Sequence, residues 1–255
     1  YSESTFVLPP EDPANTARVR ILPPVKELPF AGHPNVGTGF VLAREGQALG
    51  RPVGDALRFE EAAGLVEVAV QREAGAVVGA QIRAPRQPEY GPDVGVDTVA
   101  TCASLAAAEV RTGRHDPMKV SVGVPFAFAE LSSLAALGRA APNAAAFAEA
   151  NRAAPRPDDG FALFLYVRTG DNPLRVRARM FAPLSGIPED PATGSAAAAL
   201  GALLASLDPQ QDGPLEMVVE QGVEMGRPSR IDVLAGLEGG GVRSVSIAGR
   251  CVPVM

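Results

Sequence analysis

Polar and apolar positions alternate over much of this chain, and two apolar runs interrupt the alternation. Residues 3–8 are β-prone and stop at Pro9-Pro10, and residues 18–22 alternate, so both stretches predict short strands. Residues 65–70, 77–83 and 176–181 alternate in the same way, and residues 160–167 predict a long buried strand. Residues 119–124 and 126–131 read as strands, and further β-rich stretches follow at 217–222, 230–234 and 242–247, the last entered through a Gly239-Gly240-Gly241 turn. Residues 85–92 are expected to be a loop, and residues 104–110 fit a strand or a short helix. Two short helices are predicted, one over 134–137 capped by Ser132 or Ser133, the other over 143–151 with Ala146, Phe147 and Ala150 on one stripe.

The first apolar run follows a turn at Pro29-Phe30-Ala31-Gly32-His33-Pro34. Pro34 suits a helix's first turn, and Phe40, Val41 and Leu42 leave no polar face, so this helix is expected to be buried on most sides. The second run, from Ala196 to Leu204, is a strong helix former. It follows Pro188-Glu189-Asp190-Pro191-Ala192-Thr193-Gly194-Ser195, which reads as a tight turn whose prolines forbid an earlier helix start. Thr193 or Ser195 can cap the helix, and Gly194 lets a ligand approach the backbone. The free N–H groups at such a start make an anion site. Each half of the chain therefore carries β-rich sequence around one turn-then-apolar-helix unit. This predicts two similar, mostly β domains, residues 1–112 and 113–255, with both helix starts facing a common cleft. The final strand is expected to return to the first domain.

Composition narrows the function classes. The 255 residues are 46% hydrophobic and 20% charged, which supports a sizeable core. The net charge of −6 argues against a nucleic-acid or anionic-membrane surface. No run reaches the roughly 18 apolar residues of a membrane span. Cys102 and Cys251 lack metal-ligand spacing and read as buried thiols of a reducing, cytoplasmic compartment, and two histidines, His33 and His115, are too few for a histidine-rich metal site. No metal is expected.

Four residues carry candidate chemistry: Glu3, His33, Asp190 and Ser195. Glu3 stands between two serines ahead of an apolar run, where partial burial would raise its pKa toward the range of a general acid/base. Ser195 lacks a Gly-x-Ser-x-Gly elbow, which disfavours a serine hydrolase.

Five motifs, in order, resemble the PhzF-like phenazine biosynthesis family: Ser2-Glu3-Ser4-Thr5-Phe6-Val7; Glu27-Leu28-Pro29-Phe30-Ala31-Gly32-His33-Pro34-Asn35-Val36-Gly37-Thr38; Gly123-Val124-Pro125-Phe126; Glu189-Asp190-Pro191-Ala192-Thr193-Gly194-Ser195-Ala196; and Gln221-Gly222 with Gly226-Arg227-Pro228-Ser229. The resemblance implies an α/β (α+β), diaminopimelate-epimerase-like fold: two pseudo-symmetric domains, each a curled, mostly antiparallel sheet around a central helix. It implies a cofactor-independent isomerase that moves a proton on a small carboxylate, trans-2,3-dihydro-3-hydroxyanthranilate in the best understood member, and a homodimer. Carried over, Glu3 matches the general acid/base, Gly32, His33 and Ser195 match substrate-binding positions, and Asp190 matches the acid of the second motif. Gly194 joins Ser195 as a carboxylate holder, and His33 is the expected partner of Asp190. Epimerases and racemases of the wider fold place cysteines where this chain has Ala31 and Asp190, which disfavours two-thiol racemisation. A non-catalytic small-acid-binding protein and an amino-acid racemase are the competing expectations. The family's opening strand and Gly-Asn-Pro element are not found ahead of Ser2-Glu3, and the expectation is that a longer protein carries them.

Overall fold

The alternating stretches form strands, and the two apolar runs form the helices they enclose. A computed structural model describes residues 3–23, 27–154, 160–171, 174–210 and 212–253; Ser2 of the first motif lies outside them. The first half contains β1 (Ser4–Leu8), β2 (Ala17–Leu22), α1 (Gly32–Glu45), the two-residue strands β3 (Gln47–Ala48) and β4 (Arg51–Pro52), β5 (Ala56–Glu61), β6 (Gly64–Glu73), β7 (Ala76–Arg83), β8 (Glu89–Asp93) and α2 (Val96–Ala103). The second contains β9 (Val110–Arg111), β10 (Met118–Ser121), β11 (Pro125–Leu131), α3 (Leu134–Arg139), α4 (Ala144–Ala153), β12 (Leu163–Asp171), β13 (Leu174–Ala182) and β14 (Ile187–Asp190). It ends with α5 (Gly194–Ser206), β15 (Gly213–Gln221), β16 (Ser229–Glu238) and β17 (Gly241–Arg250).

One sheet runs through the molecule in the order β1-β2-β5-β6-β7-β17-β16-β15-β13-β12-β11-β10-β8, with β14 on β13 and β9 on β11. The last strand, β17, joins the two halves. It pairs antiparallel with β16 on one side and with β7 on the other, Ile247 opposite Ile82. A main core lies inside the curl, around both α1 and α5. A smaller core packs α2, α3 and α4 on the outer face of β11 and β12.

The central helices differ in cover. Every residue of α5 from Gly194 to Ala205 is buried, as its lack of a polar face demands. α1 is buried at Val36, Gly39, Phe40 and Ala43 but open at Val41, which is 53% exposed, so it is less enclosed than its apolar run predicts.

Several local expectations are corrected. Residues 89–93 form an edge strand instead of a loop, since Pro92 is tolerated where no neighbour needs its missing N–H. The 104–110 stretch holds a little of each: α2 stops at Ala103, Ser104 takes a left-handed conformation with φ 57°, one short 3-10 turn forms at Ala107–Glu109, and Val110 opens β9. Pro188 to Asp190 is a strand, not a turn, with Asp190 opposite Met180. Cys102 is buried as read, but Cys251 is only half-buried. The predicted cap of the first small helix is present, Ala136 N donating to Ser133 Oγ at 3.1 Å; the second helix is capped as well, Ala146 N donating to Asn143 Oδ1 at 3.3 Å. No helix among the described residues is long and apolar enough to cross a membrane.

Candidate active site

The site is built where α1 and α5 begin. Their first residues, Gly32 and Gly194, touch through the backbone. A Cβ on Gly32 would stand 2.5 Å from Gly194 Cα, and one on Gly194 would stand 2.9 Å from Gly32 Cα and 2.4 Å from Ile247 Cδ1. Only glycine fits either position, so both glycines serve first to let the helix starts meet.

Neither start carries a side-chain cap or an acid in its first turn. Ala31 stands at the cap position of α1 and has no hydrogen-bonding side chain. Thr193 stands at that of α5 but turns its hydroxyl away, giving its proton to Asp190 Oδ2 at 2.6 Å. The expectation that Thr193 or Ser195 caps α5 is therefore not met; Ser195 lies inside the first turn and is buried. Two uncapped N-termini with their macrodipoles converging make a local electropositive spot suited to a carboxylate. A cleft of about 880 Å³ borders it at His33, Ala192, Gly194 and Ile247, within the range of small-molecule pockets.

His33, on the first turn of α1, brings the chemistry to this spot. Its Nε2 lies 3.0 Å from Glu3 Oε2; the Glu3 side chain is only 7% exposed and the imidazole 40%. Asp190 ends β14 with its side chain toward α1 and α5, and is buried. Burial lowers the proton affinity of His33, but its hydrogen bond to Glu3, the charges of Asp190 and Glu3 and the Ala192 backbone outweigh it, so its pKa is raised. Burial also raises the pKa of Asp190, against the opposing pull of His33 and of the Thr193 hydroxyl. Both shifts act in one direction: the site keeps protons to higher pH than the free side chains do.

Glu189 and Asp190 separate because adjacent strand residues face opposite ways. Glu189 takes a two-point ion pair with Arg179, Nε and Nη2 each at 2.7 Å. Arg179 also donates to the Leu137 and Ala140 carbonyls, pinning the end of α3 to β14. Glu189 is thus structural, and Asp190 alone faces the helix starts.

The structure brings Glu3, His33 and Asp190 into electrostatic contact beside Gly32, Gly194 and Ser195. Three further residues come from positions whose strand phase marks them. Gln221 shares its β15 face with Met217 and Val219 and is fully buried, so its amide must find partners inside. Glu61 follows Leu57 and Phe59 in phase on β5; both its carboxyl oxygens are buried, and burial lifts its pKa to about 8, against the opposing pull of the Asn35 side chain. Arg179 shares its β13 face with Phe181. In each case a polar residue in the apolar phase was the available signal. No group of metal-ligating residues occurs among the described residues.

Comparisons with known proteins bear on the fold and the family. The family model described as phenazine biosynthesis-like protein matches residues 1–255. The chain is 36% identical over 251 residues to the trans-2,3-dihydro-3-hydroxyanthranilate isomerase of Pseudomonas aeruginosa, covering 97% of this chain and 80% of that protein. It is 36% identical over 260 residues to an uncharacterised isomerase of Mesorhizobium japonicum, covering 99% and 83%. Its fold superposes on the crystal structure of a Bacillus anthracis phenazine biosynthesis protein of the PhzF family with a TM-score of 0.80 at 23% identity, over 98% of this chain and 81% of that one. With a mixed α/β sheet curled about two central helices of the diaminopimelate-epimerase kind, the chain belongs to the PhzF family of phenazine biosynthesis-like proteins and is an isomerase.

Proposed function

We propose that this isomerase transfers a proton on a small carboxylic acid, without a cofactor, using Glu3 as general acid/base. The observation that carries the reading is the Glu3 carboxyl, nearly enclosed and 3.0 Å from His33 Nε2, beside two uncapped helix starts. The substrate carboxylate lies against the N–H groups at Gly32, Gly194 and Ser195, where the converging dipoles favour an anion. Glu3 removes or delivers the proton on carbon. His33 hydrogen-bonds Glu3 and holds the charge it develops, and Asp190 acts as the second acid on the opposite side of His33. The relative from Pseudomonas aeruginosa makes a dihydroanthranilate-like cyclic acid the first candidate substrate.

Two-thiol racemisation does not fit: Cys102 lies in α2 within the outer core and Cys251 follows β17, so neither is at a helix start. Free thiols suit a cytoplasmic setting. A homodimer belongs to the same reading, and sedimentation equilibrium measures it. The central test is deuterium incorporation from heavy water into trans-2,3-dihydro-3-hydroxyanthranilate, wild type against Glu3→Gln. Exchange that depends on Glu3 is the expected result; binding without exchange would make the chain a small-acid-binding protein instead.

A further inference from the structure

Gln221 is a fully buried amide tied to the turn that leads into α5, and all its polar atoms are used. Thr193 N donates to its Oε1 at 3.0 Å, and its Nε2 donates to Asp190 O at 2.7 Å and to Thr193 Oγ1 at 2.9 Å. The amide orientation is fixed, because a backbone N–H can only donate and a carbonyl can only accept. With Nε2 donating to Thr193 Oγ1, the Thr193 proton must go elsewhere, and Asp190 Oδ2 at 2.6 Å is the acceptor it has among the described residues. Oδ2 is therefore an acceptor, while Asp190 Oδ1 is buried outside this chain of bonds, with the Ala192 backbone the other polar group bearing on the carboxyl. The next residue leaves no slack: Gly222 has φ 75°, and a Cβ there would stand 2.3 Å from Arg227 O and 2.8 Å from Pro191 O.

We infer that Gln221 and Thr193 are positioning residues that form a one-way hydrogen-bond chain, Gln221 to Thr193 to Asp190 Oδ2, so that any proton held by Asp190 sits on Oδ1. This rests on the reading of Asp190 as the second acid. The chain does two things for that acid. It ties the turn 190–193 to β15 of the main sheet, fixing where the carboxyl stands. It also reserves one oxygen, so that proton exchange with His33, Glu3 or the substrate runs through the other. The charged groups around Asp190 agree with this division. His33 and Glu3 face it from α1 and from the segment before β1. On β13 and β14 the charges of Arg179 and Glu189 are consumed by each other, and Glu220 of β15 points outward.

The test compares Gln221→Met, Thr193→Val and Thr193→Ser. With only two histidines in the chain, the His33 ring resonance can be titrated by NMR in the substrate-free protein. Removing the donor to Oδ2 makes the Asp190 anion less favourable. Asp190 then keeps its proton to higher pH, His33 loses part of the charge that supports it, and the His33 titration moves down. Thr193→Val is expected to lower the His33 pKa and cut kcat by up to about 10²-fold, with KM changed less than about threefold. Thr193→Ser keeps the hydroxyl and should restore both. Gln221→Met should act the same way, and combining it with Thr193→Val should add little, as for two links of one chain. If Gln221→Met fails to fold, Thr193→Val carries the test alone. A folded Thr193→Val protein whose His33 titrates as in wild type overturns the inference. Failure of the proton-transfer reading looks different: wild type would show no exchange, while the His33 titration still moves.

Discussion

The two helix starts share one contact but are stabilised in opposite ways. α5 is enclosed along its whole length, and its entry turn is tied by the Arg179–Glu189 ion pair on one side and the Gln221–Thr193–Asp190 chain on the other. α1 is open along Val41, and beneath its first turn, against Asn35, lies the buried Glu61 carboxyl. The acid of the rigid start, Asp190, is buried, whereas the histidine of the looser start is 40% exposed and leans on Glu3. The difference teaches that pseudo-symmetry in backbone does not carry over to chemistry. In the proposed reading, one start holds a group still and the other presents a group to a ligand.

The comparison can be broken most severely at Glu3. Glu3→Gln should lower proton exchange at the substrate carbon on the order of 10²–10⁴-fold, the ordinary contribution of a general acid/base; retention of near wild-type exchange would remove Glu3 from the role. Next comes the shared contact. Gly194→Ala and Gly32→Ala put a methyl into the opposite helix's backbone, where overpacking costs about 1–3 kcal/mol or more. Gly37→Ala, with nothing within 4 Å of the new carbon, should instead stabilise α1 by roughly 0.5–1 kcal/mol. Chemical denaturation of the three variants reads the contrast directly.

Two smaller effects sharpen the difference in electrostatics. Glu61 has a folded pKa above its unfolded one, so its burial costs stability progressively as pH climbs from the ordinary carboxylate range to about 8. Glu61→Gln should therefore raise Tm at pH 8 and bring little gain near pH 4. The sign for His33 follows from its raised pKa: its stabilising contribution is complete below the unfolded value of about 6.5 and is lost as pH rises through the folded value. The Tm gap between wild type and His33→Gln should thus be widest near pH 6 and close on the alkaline side.

Much of this was legible in the sequence, for reasons that differ by residue. Alternation located the strands because a half-buried sheet enforces it, and the all-apolar run at Ala196 announced an enclosed helix. The acid, the histidine and the two glycines were readable as motif residues. What the motifs could not convey was division of labour. Glu189 and Asp190 look equivalent as a pair of carboxylates, and only the pairing of β14 with β13 turns one of them to Arg179. Thr193 looks like a cap until Gln221, 28 residues later, competes for its hydroxyl. Gln221 and Glu61 stand in the apolar phase of their strands, a signal that a reading tuned to charges and glycines passes over.

The meeting of Gly32 with Gly194 has a mechanical consequence. Two rods joined at their tips have a fulcrum there, and points near a fulcrum travel least when the rods tilt. Bending the sheet along its strands would swing the far ends of the helices most, and Glu3, His33 and Asp190 stand beside the joined tips. A catalyst that must keep donor and acceptor atoms within a hydrogen-bond length gains more from standing at that still point than from stiffening the whole frame.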